Sequence, residues 1–115
     1  MAKVEIINIG DELLIGQVVN TNAAEMSKML NSAGFDVIRI SVIGDSGNEI
    51  RKSVTDALQN ANIVIITGGL GPTKDDITKQ VLCEYFNTSL VEDIRVREHI
   101  YSWYKERPDV LNRLT

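Results

Sequence analysis

The sequence predicts an α/β domain built on a mostly parallel sheet with helices on both faces. Three observations point there. Short apolar runs alternate with longer segments whose apolar residues recur every three or four positions, the pattern of strands joined by crossover helices. The run Ile63-Val64-Ile65-Ile66 has no polar break and is wholly β-branched, which suits a strand covered on both faces. The tripeptide Ile-Gly-Asp closes two separate strands, at Ile9-Gly10-Asp11 and at Ile43-Gly44-Asp45.

The first strand is expected over Val4 to Ile9, ending at Gly10-Asp11-Glu12. Leu13-Leu14-Ile15-Gly16 reads as a loop or a short helical turn with unusually apolar side chains. Ala23, Met26, Met29, Leu30 and Ala33 then fall on one helix face, with Asn22 and Glu25 at capping-box spacing and Gly34 as the stop. Phe35 to Ile43 is the second strand. Ser46, with Glu49 three residues on, opens a second helix whose apolar stripe is Ile50, Val54, Ala57, Leu58 and Ala61. The third strand follows, and Ile77, Val81, Leu82 and Tyr85 mark a third helix. Leu90-Val91 reads as a short strand or extended link. Asp93 opens a helix carrying Val96, Ile100, Trp103 and Tyr104, and Pro108 ends it. Asp109, Val110, Leu111 and Leu114 begin one more helical pattern without a stop signal, as though more of the domain should follow.

At 115 residues the expectation is one domain, 1–115, with a single core. Twelve basic and sixteen acidic residues give a net charge of -4, which argues against a polybasic nucleic-acid surface. The only cysteine, Cys83, excludes an internal disulfide framework. With no apolar run of transmembrane length, the expectation is a cytoplasmic protein with neither nucleic acid nor membrane as partner.

The candidate site is Thr67-Gly68-Gly69-Leu70-Gly71-Pro72-Thr73-Lys74-Asp75-Asp76, between the third strand and the third helix. Glycines at Gly68, Gly69 and Gly71 let a backbone turn sharply and let a ligand approach it. Amides at a helix start lack intrahelical partners and carry partial positive charge, a combination suited to phosphate. A ligand-free turn is the competing reading, with Thr73 and Asp76 as a variant capping box. Three glycines, a proline and two adjacent acids exceed what a turn needs. The loop is not a Walker A motif, lacking Gly-Lys-Ser/Thr, and Lys74 stands where a dinucleotide fingerprint has its third glycine.

In open α/β sheets ligands bind beyond the carboxyl ends of the strands. By that rule Asp11, Asp45 and the pair Asp75-Asp76 share one rim, with Glu12 beside them. Aspartate is also common in ordinary turns, so each alone has a bland explanation. Together they pose a conflict: two unit charges about 4 Å apart cost roughly 4 kcal/mol at an effective dielectric near 20. Carboxylates against a phosphate therefore call for a divalent cation, Mg²⁺ or Mn²⁺ from an all-oxygen donor set. Asp45 and Asp76 are the first choice as ligands, with Asp11 and Asp75 behind them.

Other reactive side chains read as structural. His99, the only histidine, lies far in sequence from the acidic turns, and a surface or packing role is expected. Cys83 has no nearby partner and is expected to pack inertly. Tyr101, Trp103 and Tyr104 are expected to pack against a neighbour or another subunit rather than stack on a base.

Gly10-Asp11-Glu12-Leu13-Leu14-x-Gly16, Asn20-Thr21-Asn22 and the loop from Thr67 to Asp76 together resemble the N-terminal domain of the CinA, competence/damage-inducible, family. That family is part of the wider molybdopterin-binding, molybdenum cofactor biosynthesis group. The resemblance covers nearly the whole chain and implies a three-layer α/β/α fold with a mostly parallel sheet. Molybdopterin adenylyltransferases of the group carry a Gly-Gly-x-Gly-Pro loop followed by Asp-x-Thr, matched by Asp76-Ile77-Thr78, and aspartates matched by Asp45 and Asp11. The resemblance further implies metal-dependent ADP-ribose pyrophosphatase activity with Mg²⁺, Mn²⁺ or Co²⁺, and a homo-oligomer. Full-length members add an amidohydrolase domain, and the family's N-terminal domain continues with a further glycine-containing loop.

The resulting expectation has Gly68, Gly69, Gly71, Thr73, Lys74, Thr78 and Asn20 binding the phosphates of a nucleotide- or pterin-type molecule. Asp45 and Asp76 serve as catalytic residues, and Asp11, Asp45, Asp75 and Asp76 as metal ligands. Hydrolysis of ADP-ribose to AMP and ribose 5-phosphate is the first reading. Adenylylation of a pterin is the second, and a non-catalytic binding module the third.

Overall fold

The computed structural model of the chain describes residues 1–11, 21–71, 73, 76–105 and 107. Three strands, β1 (Lys3–Ile9), β2 (Asp36–Ile43) and β3 (Ile63–Thr67), alternate with helices α1 (Thr21–Ser32), α2 (Gly47–Asn60) and α3 (Thr78–Tyr85), followed by α4 (Ile94–Tyr104). The sheet is parallel throughout, in the order β2-β1-β3.

That order decides which strand is buried. β1 lies between two neighbours, and Val4, Ile6, Ile7 and Ile9 are all 2% exposed or less. β3, whose uniform apolar run promised burial on both faces, lies at an edge of the described sheet. Its first residue, Ile63, is exposed and the rest are half-buried. Composition reports affinity for a sheet interior, whereas strand order assigns the interior position. The core joins Ile7 and Ile9 to Ile50, Val54 and Ala57 of α2 and Val81 of α3. Leu58, expected in that stripe, is exposed instead.

Local signals stop the elements where physics requires. Gly34, at φ +92°, ends α1. The Phe35 amide donates to Leu30 O at 3.0 Å and the Gly34 amide to Asn31 O at 3.2 Å, the paired bonds of a glycine C-terminal motif. Asn22 lies inside α1 rather than capping it. Ser46 does precede α2, but its side chain makes no cap bond; Glu49 instead reaches the Gly44 amide at 3.0 Å. Asp93 caps α4 as expected, accepting from the Arg95 and Val96 amides.

The C-terminal side is the less buried part of the described chain. Leu90 and Val91 form no strand and are both strongly exposed. The apolar stripe of α4 buries no residue, because nothing among the described residues covers it deeply enough. The pattern from Asp109 onward lies outside the described residues. No described helix is long and apolar enough to cross a membrane.

Candidate functional site

Strand register builds the rim. Ile9 pairs with Ile43, so the two Ile-Gly-Asp tripeptides leave the sheet side by side, and Asn8 pairs with Thr67, so Gly68 emerges beside them. The Gly10 amide extends the ladder to Ile43 O at 2.9 Å. Just beyond, the Asp45 amide donates to Asp11 Oδ1 at 3.3 Å. Asp11 and Asp45 are therefore neighbours.

Beneath the rim lies a residue that the sequence reading passed over. Asn8 is 1% exposed and on the central strand. Its Oδ1 accepts from Thr67 Oγ1 at 2.7 Å, and its Nδ2 donates to Ser41 O at 3.4 Å. One amide thus bridges all three strands directly under the loop. The signal was a lone amide inside Ile6-Ile7-Asn8-Ile9, since a polar group at a buried position must find partners.

The loop crosses the end of β1 at close range. Gly68 and Gly69 have φ of +88° and +65°. A Cβ at Gly68 would stand 2.0 Å from Ile9 O, and one at Gly69 would stand 2.2 Å from Thr78 Oγ1. Thr78 is fully buried; its hydroxyl donates to Gly68 O at 2.9 Å and its amide to Gly69 O at 3.1 Å. The hydroxyl expected to face a phosphate is thus bonded to the loop backbone and shapes the loop from below.

Thr73 and Asp76 form a closed turn ahead of α3 rather than the start of it. The Asp76 amide donates to Thr73 O at 3.1 Å, while Asp76 Oδ2 accepts from the Thr73 amide at 3.2 Å and from the Thr73 hydroxyl. The Thr73 hydroxyl is the main reason the Asp76 carboxyl is held below the ordinary aspartate range. Partial burial opposes it, and the Thr73 and Gly71 amides and the Lys79 ammonium add to the lowering. A Cβ at Gly71 would lie 2.7 Å from Asp76 Oδ2, so glycine leaves the space that the carboxylate fills. The Thr73 donors, predicted to hold a ligand's oxyanion, hold the chain's own carboxylate.

Asn20, Lys74 and Asp75 lie outside the described residues. Among the described residues no group of three or more His, Cys, Asp or Glu side chains is placed to hold a metal ion. Asp11 and Asp45 are adjacent, but Asp76 is turned onto its own loop. Among the described residues this donor set does not by itself make a divalent-cation site. Lys79, in the first turn of α3, is a local cation that the sequence reading did not single out.

From Asp76 a groove of about 600 Å³ runs along α3, past Lys79, Gln80 and Cys83 to Asn87 and Leu90. Cys83 is half-buried in its wall. His99 is exposed on α4, its ring 4.7 Å from that of Trp103.

Comparison with known proteins identifies the family and the fold. Residues 5–110 match the family model described as "Probable molybdopterin binding domain". A Clostridium tetani protein described as competence-damage inducible is 44% identical over 108 residues, covering 94% of this chain and 26% of the relative. A CinA-like protein of Cytophaga hutchinsonii is 44% identical over 110 residues, covering 96% of this chain and 26% of that protein. The chain therefore spans about a quarter of the length of these relatives. Among solved structures, CinA of Thermoplasma acidophilum superposes with a TM-score of 0.76 at 34% identity, over 90% of this chain and 62% of that one. The tungsten cofactor synthesizing protein MoaB of Pyrococcus furiosus, at 22% identity and a TM-score of 0.72, shares the fold over 89% of this chain and 64% of its own. The chain belongs to the molybdopterin-binding domain family, as an N-terminal domain of the CinA, competence/damage-inducible, type.

Proposed function

We propose that the glycine loop receives the pyrophosphate of a nucleotide-type ligand and that the domain hydrolyses ADP-ribose to AMP and ribose 5-phosphate. One observation carries the reading. The Thr73 amide and hydroxyl already hold an oxyanion, the Asp76 carboxylate, in the loop that follows β3. A phosphate presents the same kind of oxygen with greater charge and would take those donors in its place. Gly71, whose open side Asp76 Oδ2 now fills, leaves the space for it, Gly68 and Gly69 hold the loop against β1 and Thr78, and Asp45 orients the attacking water. Water adds across the anhydride: its oxygen goes to one phosphorus, the bridging oxygen leaves with the other, and a proton is released. A divalent cation, Mg²⁺, Mn²⁺ or Co²⁺, belongs to the proposal on the charge argument alone, since carboxylates repel a pyrophosphate brought close to them.

The test is incubation of this chain, and of a full-length CinA-like relative, with ADP-ribose and each cation. Release of AMP supports the reading, and Asp45→Asn is expected to abolish it. Full turnover in excess chelator would remove the cation from the scheme. The family description and the fold shared with MoaB favour a second reading, transfer of adenylate to a pterin. Product formed only with molybdopterin and ATP would establish that one instead. Binding without turnover of either substrate would leave a non-catalytic module.

A further inference from the structure

The sheet carries a second polar feature at the end away from the loop. Glu5, near the start of β1, is only 3% exposed, and its Oε2 has no hydrogen-bond partner among the described residues. Glu5 alternates with Ile7 and Ile9, so it faces α2 as they do. A small cavity of about 40 Å³ lies there, lined by Glu5, by Arg39 and Ser41 of β2, and by Ser53 and Asp56 of α2. Arg39 stands opposite Glu5 in the strand register, yet no ion pair joins them. A buried carboxylate oxygen without a partner is strongly disfavoured, so the cavity demands an occupant that supplies hydrogen-bond donors.

We propose that this cavity is a binding site for a single ordered water that joins Glu5 to α2 and β2. The volume is large enough to admit a water molecule, which needs about 10–15 Å³ of such space. The chemistry matches as well. Water donates twice and accepts twice. The lining offers the carboxyl oxygens of Glu5 and Asp56 as acceptors for its hydrogens. It also offers the Arg39 guanidinium and the Ser41 and Ser53 hydroxyls as donors to its lone pairs. A metal cation suits the two acids less well, because the guanidinium in the same wall repels it.

A high-resolution crystal structure of the chain tests this directly. The expected result is one discrete density peak within hydrogen-bond distance of Glu5 Oε2 and of at least two other lining groups. A dry cavity, a direct bond between Arg39 and Glu5, or a peak at metal-ligand distances would each overturn it. Two variants add an independent readout. Ser53→Ala removes one lining donor at the surface of a helix and is expected to lower the thermal midpoint while the water stays. Glu5→Gln keeps shape and acceptor and is expected to retain the water. An unchanged peak in a Glu5→Leu crystal would contradict the assignment to Glu5.

Discussion

Replacing Gly68 with alanine isolates what close approach of the loop to β1 contributes. Two penalties act at that position. The backbone has φ +88°, where a Cβ costs about 1–2 kcal/mol. The same Cβ would lie 2.0 Å from Ile9 O and 3.2 Å from Ile9 N, both backbone atoms of the central strand that cannot swing aside. Forcing β1 and the loop apart costs about 1–3 kcal/mol more, as overpacking does in a close-packed interior. Gly34 is the control: its φ of +92° is as unfavourable, but a Cβ there meets nothing within 4 Å. Gly34→Ala should therefore lose only the backbone penalty, about 1–2 kcal/mol, against about 2–5 kcal/mol for Gly68→Ala. Equilibrium urea unfolding followed by far-ultraviolet circular dichroism measures both. Trp103 is 69% exposed and makes a poor fluorescence reporter. Equal losses in the two variants would refute the claim that the loop rests on the end of β1.

The remaining predictions concern the groups around that contact. Asn8→Ala should cost about 1–3 kcal/mol, because it strands the Thr67 hydroxyl and Ser41 carbonyl partners of a fully buried amide; an unchanged melting temperature would contradict the bridge. The Asp76 carboxyl should titrate below the ordinary aspartate value of about 3.9, since the Thr73 hydroxyl stabilises its charged form. The sign follows: Asp76 contributes stability above the unfolded value, and that contribution disappears as pH falls through the lowered folded value. A carbon-detected NMR titration gives the midpoint, which Thr73→Val should raise. Asp76→Ala frees the Thr73 and Gly71 donors and should strengthen binding of inorganic pyrophosphate in the absence of metal; weaker binding would mean that the carboxylate is not competing for the loop. Glu84→Gln should change stability by less than about 1 kcal/mol, because the Arg51–Glu84 pair, at 2.9 Å, is half exposed on both sides.

The sequence by itself determined the alternation of strands and helices, the glycine stop of α1, the capping aspartate of α4 and the repeated Ile-Gly-Asp that marks two strand ends. These follow from residue-level causes: side-chain periodicity, conformational freedom at glycine and the reach of a short carboxylate. They do not need a partner from elsewhere in the chain. Tertiary structure alone decided the rest. Strand order moved burial from β3 to β1, because a central strand is covered by neighbours whatever its composition. Register aligned Ile9 with Ile43 and so brought Asp11 against Asp45. Folding turned Thr78 inward and set Asp76 on the donors of Thr73, because buried or converging polar groups take the nearest complementary atom, and only the folded chain determines which atom that is.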